Sequence, residues 1–142
     1  MDLNLIPHNA ILTPHHGEFA SLLTRAEVAS ESQGDESQVA WFAKKYHCIV
    51  LLKGEKDIVS NGQETRVVEG GNPGMTKGGT GDVLAGLIAS LACKNDSFEA
   101  AIAGSFINKK AGDALFETVG PYFNATDLAN QIPKTMKELL LG

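Results

Sequence analysis

The hydrophobic and polar positions fall into blocks of alternating period. Ala10-Ile11-Leu12-Thr13 is a short apolar run between Pro7 and Pro14, which predicts a strand running into a loop at Pro14-His15-His16-Gly17. Glu18 to Leu23 then begins a helix, and a polar stretch from Ser30 to Ser37 leads to a second helix over Val39 to Tyr46, where apolar positions cluster at helical spacing. Cys48-Ile49-Val50-Leu51-Leu52 is continuously apolar and partly β-branched, the pattern of a strand covered on both faces in a largely parallel sheet. Lys53-Gly54 ends it. Asp57 to Ser60 and Thr65 to Val68, joined through Asn61-Gly62, predict a hairpin at an edge of the sheet. Beyond Gly70 the chain is helical. Val83, Leu84, Leu87, Ile88 and Leu91 share one face, Asp96 to Glu99 resembles a capping box ahead of Ala100 to Phe116, and Thr126 is placed to cap a helix from Asp127 to Ile132 that Pro133 would end. Strand, helices, strand, hairpin and helices make an α/β layered domain over 1–142.

Composition narrows the function classes. At 142 residues, 43% hydrophobic and 20% charged, the chain is sized for one globular domain. A net charge of −5 without a Lys/Arg cluster argues against a nucleic-acid partner, because phosphate neutralisation needs a cationic surface. The two cysteines, Cys48 and Cys93, lie too far apart for a short metal-ligand pair, so no metal site built from protein ligands is expected. No apolar stretch reaches membrane-spanning length and the first residues have no basic leader, giving a cytoplasmic expectation with no membrane partner.

The candidate chemistry lies in Gly70-Gly71-Asn72-Pro73-Gly74-Met75-Thr76-Lys77-Gly78-Gly79-Thr80-Gly81-Asp82, where six of the 15 glycines fall just ahead of an amphipathic helix. Glycines let backbone N–H groups converge, and a helix N-terminus adds partial positive charge, so the segment predicts an anion nest suited to phosphate. It is neither a Walker loop, since Lys77 precedes the glycines, nor a dinucleotide fingerprint, since the last glycine is lacking. Asp82 has two readings: a helix cap, or a general base toward a hydroxyl held beside the nest. For His15 the alternatives are a loop histidine bonded to neighbouring backbone or a ligand group, and for Lys53 a solvated strand end or a phosphate contact. Trp41, Phe42 and Tyr46 fit helix packing better than a base-stacking platform.

Asn72-Pro73-Gly74-Met75 followed by Gly78-Gly79-Thr80-Gly81-Asp82-Val83-Leu84-Ala85-Gly86 closely resembles the signature of the NAD(P)HX dehydratase family. Three further segments fall in the family's order: Thr13-Pro14-His15-His16-Gly17-Glu18, Leu51-Leu52-Lys53-Gly54 with Asp57-Ile58-Val59, and Ala125-Thr126-Asp127-Leu128. The resemblance implies the C-terminal half of a ribokinase-like, Rossmann-like three-layer fold. It also implies ADP- or ATP-driven dehydration of hydrated NADH and NADPH, by phosphorylation of the ring hydroxyl and loss of phosphate. It further implies Asp82 as base and substrate contact, and His15 as a contact to the hydrated dinucleotide. Lys53, Gly54, Glu55, Lys56, Asp57 and Gly81 would line the nucleotide, with Asn72, Gly78, Gly79, Thr80 and Gly81 as anion hole and Mg²⁺ accompanying the phosphates. Two positions depart from the pattern: His16 stands where the loop usually has proline, and Asp57 where threonine is common. The family's N-terminal half, with another glycine loop and an acidic motif, has no counterpart here, so the resemblance implies a fragment, one chain of a split enzyme whose partner chain supplies that half, or part of a homo-oligomer. The alternatives are a ribokinase-like small-molecule kinase, for example of hydroxymethylpyrimidine type, and an inactive nucleotide-binding subunit.

Overall fold

The computed structural model describes residues 2–27 and 34–142. Of the polar stretch at 30–37, positions 30–33 lie outside the described residues, as does Met1. Four strands, β1 (Ile11–Leu12), β2 (Ile49–Leu52), β3 (Asp57–Ser60) and β4 (Thr65–Val68), form one sheet in that order. Among the described residues five helices accompany it: α1 (His16–Arg25), α2 (Asp35–Tyr46), α3 (Thr80–Ala92), α4 (Ser97–Val119) and α5 (Ala125–Leu141). Short 3₁₀ turns stand at Leu3–Leu5 and Pro73–Met75.

β2 is the axis of the fold, buried at all its positions. Successive side chains leave a strand on opposite faces. Val50 and Leu52 accordingly enter a core with Phe19, Val39, Phe42 and Ala43 from α1 and α2, while Ile49 and Leu51 join Leu84, Ile88, Phe98 and Ala101 from α3 and α4. A third core, of Leu87, Ile107, Ala111, Leu128 and Ile132, seats α5 on α3 and α4. Cys48, just ahead of β2, is buried as expected of a structural thiol, and that burial pushes its pKa up to about 11.

The expected largely parallel sheet is mixed. β1 and β2 are parallel, joined through α1 and α2, but β2 pairs antiparallel with β3, and β3 with β4. The polar Lys53–Lys56 segment does more than end β2: four residues suffice only for a reversal, so β2 to β4 form a meander. The hairpin does lie at an edge, with β1 at the opposite one. Its loop spans four residues, and Asn61 Oδ1 accepts from the backbone of Gln63 and Glu64. Gly62, at φ +87, lies against Lys44 of α2, where a Cβ would stand 2.5 Å from Lys44 Cα.

Two helix ends differ from the reading of the sequence. Asn124, not Thr126, caps α5, in a reciprocal box with Asp127, so the helix starts at Ala125. Pro133 does not end α5, which continues to Leu141. The proline removes one backbone donor, and burial of Leu128, Ile132 and Thr135 on the neighbouring helices outweighs that loss. Among the described residues no helix is long and apolar enough to cross a membrane.

Candidate functional site

Three segments remote in sequence converge at the ends of β1 and β2. Beyond β1, His15 is the N-cap of α1: its Nδ1 accepts from Glu18 N at 3.1 Å while the Glu18 carboxylate accepts from His15 N at 2.8 Å. With Nδ1 used as an acceptor, a neutral His15 carries its proton on Nε2. The His15 N–H bond, with smaller contributions from the charges of His15 and Lys53, holds the Glu18 carboxyl below its ordinary range. A parallel bridge ties His15 to Lys53, and Lys53 N donates to the carbonyl of Pro14 at 2.9 Å. The box makes His15 both the backbone-satisfied residue of the plain reading and a partly exposed imidazole on the cleft.

The β2–β3 turn is held from below. Asp57 Oδ1 accepts from Gly54 N at 3.0 Å and faces Lys109 Nζ at 3.4 Å, while Oδ2 accepts from Ser105 Oγ at 2.7 Å. The carboxylate of Asp57 is thus committed inside the protein. Lys56 turns the other way, to an exposed pair with Glu69 at 2.6 Å.

The glycine segment leads from β4 into α3. Gly70 and Gly71 have φ of +105 and +82, a region open to glycine, and carry the chain toward Asn72. Asn72 Oδ1 accepts from Gly74 N and its Nδ2 donates to Asp113, both within 3.1 Å. Thr80 Oγ1 donates to the carbonyls of Met75 and Lys77 at 2.8 Å, closing the loop. Lys77, the cation of the segment, is folded onto the carbonyls of Pro121 and Phe123, with the Phe123 ring beneath it. The N-cap of α3 is Gly79, at φ +88, and no side chain caps the helix. Asp82 is therefore not the cap that one reading required: it stands third in α3, exposed.

The turn and the loop face one another. A Cβ on Gly81 would lie 3.2 Å from Lys53 Nζ, so the ammonium rests against the first turn of α3. Between them is a cleft of about 830 Å³ lined by His15, Lys53, Gly54, Glu55, Asp57, Asn72, Gly78, Thr80 and Gly81. Of the residues expected at the site, Lys56, Gly79 and Asp82 do not line it. Asn108 and Lys109 of α4 do, and the sequence reading missed both, because their burial inside a long helix shows only in the fold. Among the described residues no three His, Cys, Asp or Glu side chains gather as a metal site.

The family model of NAD(P)H-hydrate dehydratase matches residues 3–134. The chain belongs to that family. It is 41% identical over 133 residues to the bifunctional NAD(P)H-hydrate repair enzyme Nnr of Archaeoglobus fulgidus, covering 92% of this chain and 26% of that enzyme. It is 43% identical over 131 residues to the ADP-dependent (S)-NAD(P)H-hydrate dehydratase of Nitrosopumilus maritimus, covering 91% of this chain and 45% of the other. The chain thus spans half or less of the length of these dehydratase-family relatives. The crystal structure of the ADP/ATP-dependent NAD(P)H-hydrate dehydratase of Bacillus subtilis, co-crystallised with ATP/Mg²⁺, superposes with a TM-score of 0.81 at 23% identity, over 92% of this chain and 48% of that one. The ribokinase-like fold expected from the motifs is the fold observed.

Proposed function

We propose that this chain supplies the nucleotide-binding and proton-accepting half of an ADP- or ATP-dependent NAD(P)H-hydrate dehydratase. The observation that carries this reading is Lys53 Nζ resting against Gly81, which joins a cation and a helix N-terminus across one cleft. In this reading Lys53, Gly54 and Glu55 line the adenosine-phosphate side. Gly78 and Gly81 offer backbone N–H groups to the phosphoryl group, with Asn72 shaping the loop behind them. Asp82 lies outside the cleft lining, which leaves the cleft to the nucleotide and the carboxylate to a hydroxyl approaching from beyond it. His15, whose Nε2 lies 3.6 Å from the Glu18 carboxylate, presents its imidazole edge to the hydrated dinucleotide.

The chemistry balances in two steps. The substrate hydroxyl oxygen forms a bond to the terminal phosphorus of the nucleotide, the bond from that phosphorus to the leaving nucleotide breaks, and Asp82 takes the hydroxyl proton. The new phosphate ester then departs as inorganic phosphate with the carbon–oxygen electron pair. Loss of a proton from the adjacent ring carbon restores the double bond of the reduced cofactor. Mg²⁺ fits here as an ion borne mainly by the phosphates, since it commonly takes one or two carboxylates and several waters, and Glu55 is the free carboxylate on the lining. The remainder of the substrate site falls to the part of the family domain that this chain does not span. The small-molecule-kinase alternative shares the fold and the glycine loop, whereas the family match over residues 3–134 favours the dehydratase.

Calorimetric titration of the protein with ADP and with ATP, each with Mg²⁺, is expected to give saturable binding that Lys53→Met weakens about tenfold or more, the loss of a charge-assisted contact. Absence of heat and of any thermal shift with both nucleotides would remove the reading.

A further inference from the structure

Helix α4 carries a polar stripe, Ser105, Lys109 and Asp113, at the i, i+4, i+8 spacing that places side chains on one face. Each of its members holds a piece of the site. Ser105 Oγ donates to Asp57, and Lys109 Nζ donates to the carbonyls of Gly54 at 3.3 Å and Glu55 at 3.2 Å while pairing with Asp57. One turn on, Asp113 accepts from Gly71 N and Asn72 Nδ2, both at 3.1 Å. The β2–β3 turn and the glycine loop, apart in sequence, are therefore fastened to a single helix. Lys109 and Asp57 are each more than nine-tenths buried.

Resting on the nucleotide reading above, we infer that Lys109 is a positioning residue for the nucleotide. Its ammonium holds the turn carbonyls of Gly54 and Glu55 and so sets the turn's place opposite the glycine loop. A buried ion pair is a costly way to fill space, and an apolar pair of similar volume commonly stabilises as well or better. What the charge adds is direction. It gathers two carbonyl oxygens and one carboxylate, the groups that would repel an incoming phosphate, onto a cation. Asp57, aspartate where the resemblance leads one to expect threonine, is the counter-charge of this clasp rather than a free nucleotide contact.

The test compares nucleotide affinity with stability in the same protein. Wild type, Lys109→Met, the double variant Asp57→Thr/Lys109→Met and the milder Ser105→Ala are titrated with ADP and ATP plus Mg²⁺ and melted in parallel. Lys109→Met should lose both melting temperature and affinity, because it leaves Asp57 buried and unpaired. The double variant should regain most of the melting temperature yet bind at least about tenfold more weakly than wild type, since the carbonyls remain unheld. Ser105→Ala, which takes one donor from the buried Asp57 carboxylate but leaves its cation, should melt below wild type yet above Lys109→Met and bind about threefold more weakly. A double variant that recovers affinity together with stability, or a Ser105→Ala protein with wild-type affinity, would overturn the positioning role. Wild type that binds neither nucleotide would overturn the nucleotide reading, and this inference with it.

Discussion

The exposed carboxylate of Asp82 stands on the third residue of α3 without capping it, so replacing it by asparagine removes charge and leaves helix geometry alone. Acidic groups in a first turn gain from the helix dipole, and forfeiting that gain at an exposed site costs about 0.3 to 1 kcal/mol. Asp82→Asn is therefore expected to melt within about 1 kcal/mol of wild type and to bind ADP or ATP at least as tightly. In a protein that also carries the rest of the family domain, it should regenerate reduced cofactor about a hundredfold to ten-thousandfold more slowly than wild type. Recovery of cofactor absorbance beside a melting curve measures both, and near-normal turnover would leave Asp82 outside the mechanism. Much at this scale was legible in the sequence. The glycine run announces itself because its signal is local, a density of residues without Cβ ahead of a helix, whereas His15 and Lys53 each had a plain reading and were singled out only by the order of the motifs. Ser105, Lys109 and Asp113 were not legible, because a polar residue in a long helix acquires its meaning only from Asp57 or Gly71, which lie far away along the chain.

Among the elements, α1 does two jobs through one residue. His15 closes a capping box with Glu18 and also lines the cleft, and asparagine, itself a strong N-cap, keeps the first job while removing the imidazole from the second. His15→Asn should thus change stability by less than about 1 kcal/mol, leave nucleotide titrations unchanged and raise the KM for the hydrated dinucleotide about tenfold. A raised nucleotide Kd in the titration would place the imidazole on the other ligand. The elements themselves were largely visible as patterns, and the misses share a cause. Lys53 to Lys56 looked like the end of a strand because four polar residues do not encode the direction in which the next strand runs. Pro133 looked like a terminus because local propensity weighs against it, and only the burial of Leu128 and Ile132 on α3 and α4 decides otherwise.

For the molecule as a whole, the sheet order unites two kinds of pairing: neighbours in sequence on the β3–β4 side and distant partners on the β1 side. Ser60 pairs with Thr65 and Leu52 with Ile58, whereas Ile11 must find Ile49 across α1 and α2. Closing a long loop costs more chain entropy than closing a short one, and contacts of high sequence separation are made late. The mixed topology therefore has a consequence in time. The meander of β2 to β4 is expected to form first and β1 to join an existing edge, so that the nucleotide turn is built before the His15 segment arrives beside it. Stopped-flow folding should show this as an asymmetry. Leu12→Ala, which removes apolar burial worth about 2 kcal/mol, should chiefly speed unfolding, whereas Val59→Ala should slow folding itself. On that order the β1 edge should be the last to close and the first to open, and opening there would part His15 from Lys53 while the turn, fastened to α4, keeps its shape.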